Sequence, residues 1–219
     1  MGEKIKRIVN VLLYLYESIL EIIYPHENYC IICGKEECEG ICKKCINSIS
    51  KTGNDEFIDS YGYYSGVLKK LIIKFKFHSD FTAGEILADI LGEYIVSNYN
   101  IEDYIITYVP LTKKSEKNRG FNQCKYISKR ISKKTGIRCI ELIVKTKETK
   151  EQKLLSKTER IKNIQGVFKL NKNILSITKG IIVIDDVVTT GATLMEIHKV
   201  FYENGIKNIK LLTLARSTI

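Results

Sequence analysis

Alternating strand and helix patterns predict an α/β chain built on a parallel sheet flanked by helices. Two observations carry this. Ile181–Ile184 is an unbroken apolar run, the pattern of a strand buried on both faces. Comparable runs at Tyr104–Val109 and Ile209–Leu214 are separated from it by stretches whose apolar residues step by three and four. That alternation is the mark of a doubly wound sheet.

The elements follow in chain order. Ile5, Ile8, Leu12, Leu15, Ile19 and Ile22 line one face of an amphipathic helix that Pro25 stops. Lys4, Lys6 and Arg7 ahead of it imitate a signal peptide, but Glu17 and Glu21 interrupt the apolar run and no small-residue cleavage site follows. The run is too short to span a bilayer. The helix is expected to pack on its own domain or a dimer mate, with contact at a membrane surface as the alternative. Phe57–Tyr64 reads as a strand or hairpin edge, Val67–Phe75 as a helix, and Phe81–Asn98 as a long helix with Ile86, Leu87, Ile90, Leu91, Tyr94 and Ile95 on one face. Next come the Tyr104 strand ending at Pro110, a basic helix over Asn122–Lys134, and strands at Cys139–Val144 and Val167–Leu170. Ile181–Ile184, a helix over Leu194–Asn204 and the Ile209 strand complete the set.

At 219 residues the chain can bury a full core, and with two prolines it has no Pro-rich linker. The expected division is 1–52 and 53–219. The net charge of +10 favours polyanionic partners: nucleic acid, acidic lipid or phosphate-rich small molecules. The balance of 29 Lys to 6 Arg is also what a compositionally biased genome produces, so charge alone does not choose among them.

Four of the seven cysteines form the pairs Cys30-x-x-Cys33 and Cys42-x-x-Cys45, eight residues apart. Each pair can give two thiolates to one tetrahedral zinc ion, and the short separation predicts a compact knuckle. Cys38 is read as a bystander, the alternative being that it replaces one ligand. Two disulfides in a secreted chain are the rival reading; a cytoplasmic location, with peripheral membrane contact as an option, fits the lysine-rich chain better. Cys124 and Cys139 are expected in the core.

The apolar run Ile181–Ile184 is expected to end at Asp185 and Asp186, followed by Val187, Val188, Thr189, Thr190, Gly191, Ala192 and Thr193 and then a helix. Ligands of open α/β sheets bind beyond the carboxyl ends of strands. A loop entering a helix offers free N–H groups to an anion, the threonines add hydroxyls, and Gly191 admits close approach. The acids repel phosphate and suit a sugar diol or a metal ion. The chemistry asks for a sugar phosphate; the bland alternative is a strand with an acidic exit turn and a capped helix. A second strand end, Val109–Lys114, leads through a basic loop to Arg119-Gly-Phe-Asn-Gln123. Lys113, Lys114 and Arg119 can neutralise a polyphosphate there, or the lysines can simply be solvated.

The stretch Ile181–Thr193 resembles the phosphoribosyl-diphosphate (PRPP) motif of type I phosphoribosyltransferases. The string Arg119–Gln123 resembles a hallmark of the ComF family. So do the N-terminal helix with its double Cys pair, the segment Tyr61–Asp80 with Lys74, Phe75, Lys76 and Phe77, and the string Gln152-Lys-Leu-Leu-Ser156, Glu159-Arg160 and Asn163. The lysine-rich run before Gln152 departs from the arginine and proline more usual there. The resemblance covers nearly the whole chain. It implies a type I phosphoribosyltransferase-like domain behind a four-cysteine zinc module. Asp185 and Asp186 would be the catalytic acids on the ribose, Thr189–Thr193 the phosphate loop, Lys113, Lys114 and Arg119 the diphosphate neighbours, and Lys145–Lys153 a mobile cover. Magnesium would accompany PRPP. It also implies handling of incoming single-stranded DNA in natural transformation, with competence-machinery proteins as partners; α-helical cations of Asn122–Lys134 and tyrosines would supply a groove. The alternative is an active transferase on an unidentified base or amine, and no acceptor segment or general base is visible that names one.

Overall fold

Every side chain from Ile181 to Ile184 is fully buried, as a strand covered on both faces requires. In the computed structural model, which describes residues 28–53, 57–149, 157–171 and 177–217, this run is the centre of a four-stranded sheet. The strands β1 (Ile58–Tyr63), β6 (Ile209–Arg216), β5 (Gly180–Val188) and β2 (Tyr104–Tyr108) lie in that order. All pairs are parallel. The chain divides into two compact units after Cys45. The helix expected ahead of Pro25 and the string Gln152–Ser156 lie outside the described residues.

The remaining elements are α1 (Lys43–Asn47), α2 (Gly66–His78), α3 (Phe81–Asn98), α4 (Lys113–Arg119), α5 (Gln123–Thr135), β3 (Ile143–Lys145), α6 (Lys157–Ile164), β4 (Phe168–Leu170) and α7 (Ala192–Glu203). Of the predicted face of α3, Ile86, Leu87, Ile90, Leu91 and Ile95 are buried, while Tyr94 is half-buried. Asp80 caps it, accepting from the Ala83 N–H at 3.0 Å. A Cβ on Gly84 would meet the Phe75 ring at 2.6 Å, so only glycine lets α3 lie this close to α2. On the other side α7 sets Leu194, Ile197 and Phe201 among Ile181, Val183 and Leu211. Burial of each such side chain contributes about 1.5–3 kcal/mol.

The expected basic helix is α5, but much of its charge is met. Arg130 pairs with Glu85 of α3, Lys134 reaches Glu85 at 3.7 Å and pairs with Asp89, and Lys125 reaches Glu116 at 3.8 Å. Tyr126 donates its hydroxyl to Glu85 at 2.6 Å.

Three expectations need correction. The strand carrying the acids does not end at Ile184: β6 goes on pairing with it through Asp185–Thr213, Val187–Ala215 and Val188–Arg216, so both carboxylates are strand residues. The basic loop after Pro110 is largely helix, because Thr112 caps α4 by accepting from the Ser115 N–H at 3.1 Å. Of the Cys139–Val144 strand, only a bridge from Cys139 to Ile106 forms beside β2. The Leu142 N–H then turns to the Thr107 hydroxyl at 3.2 Å, and β3 pairs antiparallel with β4 instead. Cys139 is accordingly half-buried, whereas Cys124 is in the core as expected. No helix among the described residues is long and apolar enough to cross a membrane.

Candidate functional site

β2 stops opposite Ile184, where the Val109 N–H makes the last bond to that flank of β5 at 3.0 Å. Beyond it, among the described residues, β5 is paired on the β6 side alone, which leaves its carboxyl end open beside residues 109–112. Asp185 and Asp186 stand at this opening, both half-buried. Asp185 Oδ1 accepts from the Asp186 N–H at 2.8 Å and from the Cys124 thiol at 3.5 Å. Asp186 Oδ1 accepts from the Val187 N–H at 2.7 Å, and Oδ2 is held by Lys76 of α2. Burial, and then the charge of Asp186, push Asp185 up to about 7; the Asp186 N–H, Lys76 and the Cys124 thiol oppose the shift.

The loop that follows turns at Gly191, whose φ of 74° suits glycine, and a Cβ there would meet Ile58 Cδ1 at 2.9 Å. Gly191 is the N-cap of α7 and supplies no capping side chain; the Ala192 N–H reaches Thr190 Oγ1 at 3.4 Å. Thr189, Thr190, Gly191, Ala192 and Thr193 are all half-buried. A helix start of this kind gathers backbone donors at one point.

Lys113 and Lys114 occupy the first turn of α4 and are exposed. Arg119 closes that helix and donates to Gln123 Oε1 at 2.8 Å. Asn122 caps α5, accepting from the Lys125 N–H at 3.1 Å, and its amide donates to the Val109 carbonyl at 3.1 Å. Phe121 packs on Phe75 and Phe81 with ring centroids 5.0 and 5.3 Å away. Arg119–Gln123 is therefore the joint that ties α4 and α5 to the end of β2.

Two residues of the site, Lys76 and Cys124, carried no sequence signal for it, and a third, Lys145, was expected only as one end of a mobile cover. Lys76 pairs with Asp186 across 110 positions of chain. Cys124 reads as core and is buried, yet its thiol faces Asp185. Lys145 ends β3, where burial lowers its pKa against the charges of Glu148 and Asp185.

In the N-terminal unit, Cys30, Cys33, Cys42 and Cys45 bring their Sγ atoms within 4.8 Å of one another. Backbone bonds form the knuckle: Gly34 N–H to the Cys30 carbonyl and Cys30 N–H to the Lys35 carbonyl, both 2.8 Å. Cys33 and Cys42 Sγ lie 3.7 Å apart. A disulfide needs about 2.05 Å, whereas zinc–thiolate bonds of about 2.3 Å in a tetrahedron set sulfurs roughly 3.8 Å apart. The four donors fit a metal ion of that kind. Burial raises Cys30, but N–H groups of Cys42, Cys33 and Ile32 more than offset it and lower the thiol to about 6. Cys38 lies outside the group, its thiol turned to the Glu39 carbonyl at 3.9 Å.

The chain is similar in sequence, over most of its length, to proteins named for competence and DNA utilization. Competence protein F of Haemophilus influenzae is 31% identical over 197 residues, spanning 86% of this chain and 85% of its own. Competence protein ComFC of Streptococcus pneumoniae is 28% identical over 190 residues, 87% of this chain and 81% of its own. DNA utilization protein YhgH of Escherichia coli O6:H1 is 29% identical over 133 residues, 60% of this chain and 57% of its own. No family model matches the chain.

Proposed function

The chain belongs to the ComF family of competence proteins, and on that premise we propose that it binds PRPP and handles incoming single-stranded DNA during natural transformation. In this reading residues 53–219 form the phosphoribosyltransferase-like domain and residues 1–52 a zinc-bearing appendage. The observation that carries it is the acidic pair Asp185–Asp186 at the open end of β5, directly ahead of the Gly191 turn into α7.

The roles follow from the chemistry. Carboxylates accept from ribose hydroxyls, and N–H groups and hydroxyls of Thr189–Thr193 take the 5-phosphate. Lys113, Lys114 and Arg119 neutralise the diphosphate, and the expected cover runs from Lys145 to Lys153, of which residues 150–153 lie outside the described residues. Magnesium, if it accompanies the diphosphate, would screen charge that Lys113, Lys114 and Arg119 otherwise meet. Cys30, Cys33, Cys42 and Cys45 hold a zinc ion that orders their unit. Relatives named for competence and DNA utilization support the DNA role. With Lys125, Arg130 and Lys134 facing carboxylates, the exposed Lys129 and Lys133 are the freer cations of α5 for a nucleic-acid backbone. The place of action is the cytoplasm, in contact with competence-machinery proteins and peripherally with the membrane.

A second reading, transfer of the phosphoribosyl group to a base or amine, is favoured by the place of Asp185, half-buried at the open end of β5 past the last β2 pair. Asp185 at about 7 can exchange a proton at neutral pH, which suits a nucleophile that must lose one.

The test is calorimetric titration of PRPP with magnesium into the wild type and Asp185→Ala/Asp186→Ala, repeated with single-stranded DNA. Binding that the double variant loses, with DNA affinity falling steeply in salt, supports the reading. Absence of PRPP binding in both proteins overturns it. Diphosphate release in the presence of an added base or amine separates transfer from binding alone.

A further inference from the structure

Lys74 and Lys76 stand two positions apart on α2 and do different things. Lys74 makes an ordinary surface pair with Asp80 at 3.3 Å, its side chain 40% exposed. Lys76 turns into the carboxyl edge of the sheet, 21% exposed, against an Asp186 side chain that is 16% exposed. A lysine gives up solvent and rotamer freedom to sit there. Burial pulls its pKa down, and the Asp186 charge more than reverses that, leaving it raised.

The pairing makes the two acids unequal. Both oxygens of Asp186 are engaged, Oδ2 by Lys76 and Oδ1 by the Val187 N–H. Asp185 Oδ1 is taken by the Asp186 N–H and the Cys124 thiol, while its Oδ2 has no partner among the described residues. One carboxylate is clamped and its neighbour presents a vacant acceptor. The charge consequence matters as much. Two bare adjacent carboxylates would carry −2 into a cleft meant for a polyanionic ligand; a paired Lys76 halves that. The Cys124 thiol of α5 touches Asp185, the charges of Asp186 on β5, Lys76 on α2 and Lys145 on β3 lie close enough to act on it, and Arg119 of α4 lies close enough to Lys76 to act on its charge.

We infer that Lys76 is a positioning residue of the sugar-phosphate site, clamping and neutralising Asp186 so that Asp185 Oδ2 is the acceptor for a ribose hydroxyl. This rests on the reading of the acidic pair as the sugar site of a PRPP-like ligand.

The experiment compares full-length wild type with Lys76→Met and Lys76→Arg. Carboxyl-carbon NMR follows the titration of the acids in ligand-free protein, and calorimetry with PRPP and magnesium follows binding from pH 6 to 9. Loss of the cation in Lys76→Met should move the carboxyl titration up by about one pH unit, which for a group at about 7 is a roughly fivefold loss of PRPP affinity at neutral pH that recedes as pH rises. Lys76→Arg should stay within about threefold of wild type. A methionine variant with unchanged carboxyl titration and an unchanged pH profile of binding overturns the inference. If the wild type binds no PRPP but the methionine variant still shifts the carboxyls, the clamp on Asp186 stands and the ligand assignment falls. Lys76→Gln, which keeps a donor without the charge, replaces the methionine variant if that one melts early.

Discussion

The buried thiol of Cys124 donates to the carboxylate of Asp185 across 3.5 Å, linking the start of α5 to the end of β5. Burial, and then the two carboxylates, raise this thiol well above its usual value. A thiol so held is a poor nucleophile. In the folded protein Cys124 should stay unmodified by iodoacetamide at pH 8 and become labelled only in denaturant, as peptide mass mapping would show. Rapid labelling under native conditions would mean that α5 opens at its first turn. Cys124→Ala should raise the Asp185 titration further, because a donor to the charged form is lost.

Asp185 titrates near 7 in the folded chain against an ordinary value of 3.8. Between those values the folded state keeps a proton that the unfolded state has released. The stability tied to that proton is complete below about pH 4 and is lost as pH rises through 7. Asp185→Asn cannot ionise and escapes the loss. It should equal wild type in stability near pH 4 and exceed it by on the order of 4 kcal/mol at pH 8. Urea melts at the two pH values check this; a variant less stable at pH 8 would show that the ionised carboxylate is well solvated by its neighbours.

For the four-cysteine knuckle the expected stoichiometry is one zinc per purified chain. Its removal by a strong chelator should unfold the N-terminal unit, as should Cys30→Ser with Cys45→Ser. Elemental analysis and amide exchange over residues 28–45 read both effects. A metal-free protein with full protection there would refute a structural metal.

Gly191 and Gly205 both have positive φ, 74° and 82°, but only Gly191 has an atom in the path of a Cβ, Ile58 Cδ1 at 2.9 Å. Alanine at either should cost about 1–2 kcal/mol for the backbone alone. Gly191→Ala should cost about 1 kcal/mol more and weaken PRPP binding, while Gly205→Ala leaves binding unchanged. Equal costs would show that Ile58 yields without penalty.

What the sequence made legible is what local periodicity encodes. The span of α3 and the apolar heart of β5 follow from spacing, and so does the grouping of Cys30, Cys33, Cys42 and Cys45. The end of β5 was not legible because hydropathy falls at Asp185 while pairing with β6 continues to Val188. α4 escaped because Lys-Lys-Ser-Glu-Lys-Asn-Arg has no apolar face; its cap, Thr112, is the one local cue. Lys76 was beyond reach for a different reason. Lys-Phe-Lys-Phe states a pattern, but not that one of its lysines meets a carboxylate 110 residues on.

The order of the sheet has a consequence for biogenesis. Among the described residues β1 has β6 as its sole neighbour in the sheet, and the Ser60 hydroxyl bonds to Thr213 across 153 residues of chain. During synthesis on the ribosome, β1 and the helices after it therefore emerge long before the strand that docks them. β5 emerges with β2 to pair with, but the flank that β6 will take stays bare along its whole length, the acids included. Contacts so distant in sequence close slowly, so a nascent chain passes through a stage with two unpaired strand edges, which chaperones that bind extended segments would recognise. The candidate site matures last, when β6 slides between two strands already made.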